Sequence, residues 1–196
     1  FENHPLEVLR PGFPVQFITT LEHKVKLIKE AGIEQIELVK FTPEFSQRTA
    51  AQFIDFLQEF IPFSYLILGH DARIGKDREG NEKVMQRIAK EKNFSLEYLP
   101  PFQENGVIVS SSLVRQAIAG GDFSLAEHLL GRPYSILETV QSGAGRGHSL
   151  GYPTANLEVQ NLCLPPLGIY VVKVKIDSQV FDGVCNLGYA PTLRDN

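Results

Sequence analysis

The chain is poor in cysteine. Of its 196 residues only Cys163 and Cys185 carry thiols, too few for a disulfide framework and not at metal-ligand spacing. Both lie in apolar runs, so buried, reduced thiols are expected. Long hydrophobic runs are absent too: none approaches the ~18 residues that span a bilayer. The opening FENHPLEVLRPG has neither the basic n-region nor the apolar h-region of a signal peptide. An excess of cations is also missing. Nineteen Lys and Arg stand against 23 Asp and Glu, a formal net charge of -4. Proteins that bind nucleic acids or anionic membranes are usually basic, so neither partner is expected. With 43% hydrophobic and 21% charged residues, the composition is that of a globular, cytosolic protein.

Several catalytic signatures are missing as well. His4, His23, His70, His128 and His148 form no HExxH pair and have no cysteine partners, which argues against zinc. There is no G-x-S-x-G elbow for acyl transfer. LGHDARIGKDREGN resembles a P-loop only superficially. Gly69 and Gly75 enclose five residues rather than four, and Asp77 stands where a Ser or Thr belongs. Gly143-Ala-Gly145-Arg-Gly147 lacks the third glycine of the dinucleotide fingerprint and opens no helix. No internal repeat or low-complexity segment is present.

What is there divides into two parts. Between residues 19 and 130, helical and strand patterns alternate. Thr19 with Glu22 has the spacing of a capping box, followed by a helical stripe of Leu21, Val25 and Ile28 that stops at Gly32. IEQIELVKF reads as a strand, TAAQFIDFLQEFI as a helix, and YLIL as a strand buried on both faces. Val84 and Ile88 mark another helix, and FSLEYL another strand. GVIVS, SSLVRQAIAGG and DFSLAEHLLG read as strand, helix, helix. Such alternation predicts an α/β domain with a parallel sheet and helices on its faces, and ligands beyond the carboxyl ends of the strands. After residues 131 to 134 the period changes. YSILETVQSG, GIYVVKVKI and QVFDGVCNLG alternate in the manner of an antiparallel barrel or sandwich. The expected domains are 1–131 and 132–196, the second short for an independent barrel, so the sequence reads as cut short.

Two motifs can hold phosphate. In VSSSLVRQAI, Ser110, Ser111 and Ser112 bring hydroxyls and N–H groups to a helix start, with Arg115 one turn further on. A plain serine N-cap with an exposed arginine fits the same pattern. In GRGHSLGYPTANL, Gly143, Gly145, Gly147 and Gly151 would let a loop approach polyphosphate closely. Thr154 and Asn156, two residues apart on a strand, would share one face and offer hard oxygens suited to Mg²⁺. A flexible turn before an ordinary polar strand edge is the other reading.

GRGHSLGYPTANL closely resembles the nucleotide motif of riboflavin kinases. NLGYAPT is similar to that family's later Asn-Ile-Gly…Pro-Thr segment, which implies a role for Asn186. GGDFSLAEHLLGRPYSI resembles the linker helix of prokaryotic bifunctional riboflavin kinase/FMN adenylyltransferases (FAD synthetases). VSSSLVR corresponds to their Ile-Ser-Ser-Thr-x-Ile-Arg motif, and FENHP and LGHDARIG to weaker blocks. The resemblance runs from end to end. It implies a Rossmann-like nucleotidyltransferase domain followed by part of a riboflavin-kinase barrel, an enzyme that phosphorylates riboflavin to FMN and adenylylates FMN to FAD. ATP and Mg²⁺ would serve both reactions, with small-molecule substrates as the only partners implied. Thr154 and Asn156 would hold Mg²⁺ and ATP phosphates in the kinase. Ser110, Ser111, Ser112 and Arg115 would bind ATP phosphates in the adenylyltransferase, and Asp71 would contact substrate.

The departures are specific. The family's His-x-Gly-His motif and its kinase glutamate are not found, so no catalytic residue is assigned, and truncation at both ends is the expected reason. His148 stands where an arginine is usual, and Ala72 and Ile74 replace aromatics. A non-catalytic flavin or nucleotide-binding module, or an enzyme with one of the two activities, are the alternative readings.

Overall fold

A computed structural model describes residues 1–141 and 154–188. The chain divides into two compact units, Phe1–Val109 with Ile136–Asn161, and Ser110–Ser135 with Leu162–Asn196.

In the first unit, α1 (Pro5–Leu9) is capped by His4, whose Nδ1 accepts from the Leu6 N–H at 3.1 Å. Helix α2 (Leu21–Glu30) starts one residue later than the Thr19–Glu22 spacing predicts. Thr20 is the N-cap, its hydroxyl accepting from the His23 N–H, so Glu22 is not the third helical residue and no box forms. Gly32 follows the helix at φ +88°, the left-handed conformation that suits a stop. The expected strand IEQIELVKF does not form. Residues 33–41 are without regular structure, tied to the start of the chain by Glu2 N–H to Val39 C=O and by the Asn3 side chain, which bonds both the N–H and C=O of Phe41. A strand needs a hydrogen-bonded neighbour along its length, and among the described residues this segment has none.

Helix α3 (Pro43–Ser46) leads to α4 (Ala50–Phe60), where Thr49 and Gln52 make a true capping box. Strand β1 (Tyr65–Gly69), helix α5 (Glu82–Glu91) and strand β2 (Ser95–Leu99) form one βαβ unit, the strands parallel with Tyr65 opposite Ser95 and Gly69 opposite Leu99. Ile54 and Met85 are fully buried at its centre with Ala50, Ile88, Ala89 and Phe94, and Leu66, Leu68, Leu96 and Tyr98 pack against them from the sheet. The other face carries Tyr65 and Ile67, each 51% exposed. YLIL is therefore buried on one face, not two, because α4 and α5 both contribute to the cluster on the same side. The predicted parallel sheet is two-stranded among the described residues. GVIVS also departs from expectation: β4 (Val107–Ile108) pairs antiparallel with β3 (Gln103–Glu104), a short hairpin turned at Asn105 and Gly106, both at positive φ. Among the described residues, YSILETVQSG contributes only β5 (Val140–Gln141), antiparallel to β6 (Asn156–Leu157).

In the second unit, α6 (Ser111–Ala119) and α7 (Phe123–Leu130) are joined by Gly120 and Gly121, and Asp122 caps α7 by accepting from the Leu125 N–H at 3.0 Å. Val114, Ala117, Ile118, Ala126, Leu129, Leu162 and Cys163 are buried. Strands β7 (Gly168–Ile176) and β8 (Gln179–Leu187) form a nine-residue antiparallel hairpin turned at Asp177, φ +52°. Cys163 is buried as expected, whereas Cys185 is exposed, because its apolar run lies on a two-stranded hairpin. No helix of the described residues is long and apolar enough to cross a membrane.

Candidate functional site

The second unit presents the serine motif at a helix start. Ser110 is in extended conformation, φ -146° and ψ 153°, and its hydroxyl accepts from the Leu113 N–H at 3.3 Å. One of the three hydroxyls is therefore spent as an N-cap. Ser111 and Ser112 are the first two helical residues and are exposed, where unpaired N–H groups and the helix dipole favour an anion. Arg115 is four residues after Ser111, on the same helical face.

This turn is braced by residues the sequence pattern did not single out. The Cys163 thiol donates to the Arg115 carbonyl at 3.4 Å, and the Tyr134 hydroxyl donates to the Cys163 carbonyl at 2.6 Å. Burial pushes the Cys163 thiol up from its ordinary value, and burial first, then Cys163, pushes the Tyr134 phenol from 10.0 to about 12. A phenol whose pKa is raised by folding adds stability that is complete below pH 10.0 and is lost as pH rises to about 12. Tyr134→Phe is accordingly expected to lower stability by roughly 1 kcal/mol at neutral pH through the lost hydrogen bond. It is also expected to flatten the fall of stability between pH 10.0 and about 12. Urea titrations across that range measure both, and an unchanged alkaline slope would rule out Tyr134 as its source.

The first unit holds Asp71, Thr154 and Asn156. Asp71 is exposed just beyond the carboxyl end of β1, in a turn closed by the Ala72 N–H and the Gly69 carbonyl at 3.0 Å. This is the edge of a parallel pair where open α/β sheets bind ligands. The polar loop continues through Ile74, whose N–H and C=O both bond Gly80 at 3.2 and 2.8 Å. Beside it lies a shallow basic recess of about 690 Å³ bearing Arg73, Lys83, Arg87 and Lys90 with Glu82. A second, more apolar groove of about 600 Å³ runs between residues 37–40, Phe45, Phe56, Phe60 and Tyr65.

Thr154 and Asn156 are exposed in the same unit. Asn156 is set in β6 opposite Gln141, and Thr154 is two residues earlier, before the strand. Their hydroxyl and amide oxygens are hard donors, a chemistry that fits Mg²⁺. Gly143, Gly145, Gly147, Gly151 and His148 lie outside the described residues, as do residues 189–192 of NLGYAPT. Asn186, exposed in β8, pairs in register with Ile169 in the second unit.

Comparisons with known proteins divide the chain in linear order, unlike the two compact units. Residues 1–113 match the family model for FAD synthetase and residues 130–196 that for riboflavin kinase. The bifunctional riboflavin kinase/FMN adenylyltransferase of Bacillus subtilis (strain 168) is 37% identical over 197 residues, covering 100% of this chain and 62% of that protein. The Escherichia coli (strain K12) protein of the same name is 35% identical over 98% of this chain and 62% of its own length. The chain thus spans less than two thirds of these curated relatives. The crystal structure of a macrolide-efflux protein from Streptococcus pneumoniae superposes with a TM-score of 0.80 at 28% identity, over 96% of this chain and 62% of the other.

Proposed function

The chain belongs to the FAD synthetase family, and we propose that its protein makes FAD from riboflavin in two consecutive ATP-dependent steps. In the first, the ribityl hydroxyl of riboflavin takes the terminal phosphoryl group of ATP, giving FMN and ADP. In the second, FMN takes the adenylyl group of another ATP, giving FAD and pyrophosphate. The observation that carries this reading is the tandem order of the matches, FAD synthetase at 1–113 and riboflavin kinase at 130–196. It supports two domains in that order, a Rossmann-like nucleotidyltransferase domain followed by part of a kinase barrel, with the boundary proposed at 131/132.

Both steps are displacements at phosphorus, where positioning and neutralisation of charge supply most of the acceleration. In the adenylylating domain, the exposed start of α6 offers the N–H groups and hydroxyls of Ser111 and Ser112, with Arg115 as the compensating cation. Ser110 holds that helix start in shape. Asp71 orients substrate at the carboxyl edge of β1. In the kinase, Gly143, Gly145, Gly147 and Gly151 admit the polyphosphate, Thr154 and Asn156 hold Mg²⁺, and Asn186 contacts the flavin. When bound, the metal supplies neutralisation of phosphate charge. The substrates are small molecules, and a cytosolic setting fits the composition.

The test is a time course with the protein expressed from its complete reading frame, supplied with riboflavin, ATP and Mg²⁺. FMN followed by FAD is expected. Accumulation at FMN would reduce the reading to the kinase, and unchanged riboflavin with FAD formed from added FMN would reduce it to the adenylyltransferase. Binding of ATP without turnover of either flavin would leave a binding module.

A further inference from the structure

The loop that carries Asp71 is held down by a carboxylate outside the motif. From Ile74 to Gly80 the chain makes a closed turn, its ends joined by the two Ile74–Gly80 backbone hydrogen bonds. Inside it, Asp77 and Arg78 stand at φ +54° and +59°, a conformation that residues other than glycine rarely adopt and that persists where the surroundings enforce it. Three contacts with the start of α4 do the enforcing. The Lys76 N–H donates to the Arg48 carbonyl at 2.7 Å. Gly75 and Gly80 press so close that a Cβ on either would come within 2.4 Å of the Ala50 N or 2.8 Å of the Ala50 Cβ. The third contact uses a side chain: Glu79 Oε1 accepts from the Ala50 N–H at 2.9 Å, across 29 positions of sequence.

Ala50 is the first residue of α4, so this carboxylate meets both a free N–H and the positive end of a helix dipole. Thr49 and Gln52 already satisfy other donors of that turn through their capping box. Glu79 is thus bonded to the buried first residue of α4 while being itself exposed, and it is the one side chain among these contacts that reaches from loop to helix.

We infer that Glu79 is a positioning residue for the adenylylating site, seating the 69–80 loop so that Asp71 meets FMN in one geometry. The inference rests on the proposed FMN adenylylation. Without the bond, the seated loop is a smaller fraction of the population, and apparent affinity for FMN falls by that fraction. Saturating FMN draws the loop back to its seat, so the maximal rate is kept.

The experiment uses Glu79→Ala and Glu79→Gln in the protein from its complete reading frame. Glu79→Ala is expected to raise KM for FMN about tenfold with kcat nearly unchanged, the size of one lost charge-assisted hydrogen bond. Glu79→Gln, whose amide oxygen can accept the same bond, is expected to recover most of that loss. Amide exchange at Ile74 and Gly80 should quicken in the alanine variant alone. An unchanged KM in Glu79→Ala would overturn the inference, as would a fall in kcat at constant KM, which reports lost folded enzyme. A glutamine variant as poor as alanine would overturn it too. FMN dissociation constants, read from flavin fluorescence, should shift by the same factor. If the wild type binds FMN but forms no FAD, the adenylylation reading falls, whereas an unshifted dissociation constant sinks the role of Glu79 by itself.

Discussion

Asn156→Ala is expected to lower riboflavin phosphorylation at least a hundredfold while FMN adenylylation continues at the wild-type rate. The argument starts from the placement of Asn156 in β6, where the backbone is paired with Gln141 and the side chain is exposed. Removing an exposed amide leaves the Val140–Leu157 and Gln141–Asn156 register intact, so the fold should lose little. The proposed role of the amide oxygen is to hold Mg²⁺ beside the ATP phosphates, and a lost transition-state contact of that kind costs roughly 10²- to 10³-fold in rate. FMN formation from riboflavin and FAD formation from FMN, measured separately on one preparation, make the comparison internal. A parallel loss of both rates would show that Asn156 is structural. Undiminished FMN formation would remove it from the kinase site.

The largest expected loss of stability comes from a single methyl group at Gly75. Gly75 has φ +81° and ψ 174°, a region open to glycine and strongly disfavoured for other residues. A Cβ there would stand 2.4 Å from the Ala50 N and 2.9 Å from both the Ala50 Cα and the Thr49 carbonyl carbon. All three are backbone atoms at a helix start, with no flexible side chain to give way. Backbone strain and overpacking together are expected to cost about 3 kcal/mol, lowering the urea midpoint of the first unit by roughly 1–2 M. Gly106→Ala is the control, since Gly106 has φ +78° and nothing within 4 Å of its Cβ position. Strain alone operates there, and about 1 kcal/mol is expected. Equal losses at the two positions would show that the close approach of the loop to α4 contributes nothing.

The helices Ala50–Phe60, Glu82–Glu91, Ser111–Ala119 and Phe123–Leu130 were legible because caps and apolar stripes lie within a few residues of one another. The β7–β8 hairpin was legible for a similar reason: two alternating runs flank a short Asp-Ser turn. The motifs of both proposed sites, VSSSLVR and GRGHSLGYPTANL, are contiguous and could be read directly. Thr20 displaced Thr19 as the cap of α2 because a helix start depends on backbone angles at a single residue, which neighbouring threonines leave undecided.

The amino-acid sequence by itself determined those four helices, the change of period near residue 131, the family and the motifs here proposed to bind phosphate. Each is encoded by neighbours in the chain. Tertiary structure alone decided that residues 33–41 lie outside any ladder, that YLIL is covered on one face, and that Tyr134 and Cys163 stand behind Arg115. It alone set Glu79 against Ala50. A strand's partner, the covered face of a sheet and the acceptor for a distant N–H are supplied by segments far along the chain, and no local period records which segment will arrive.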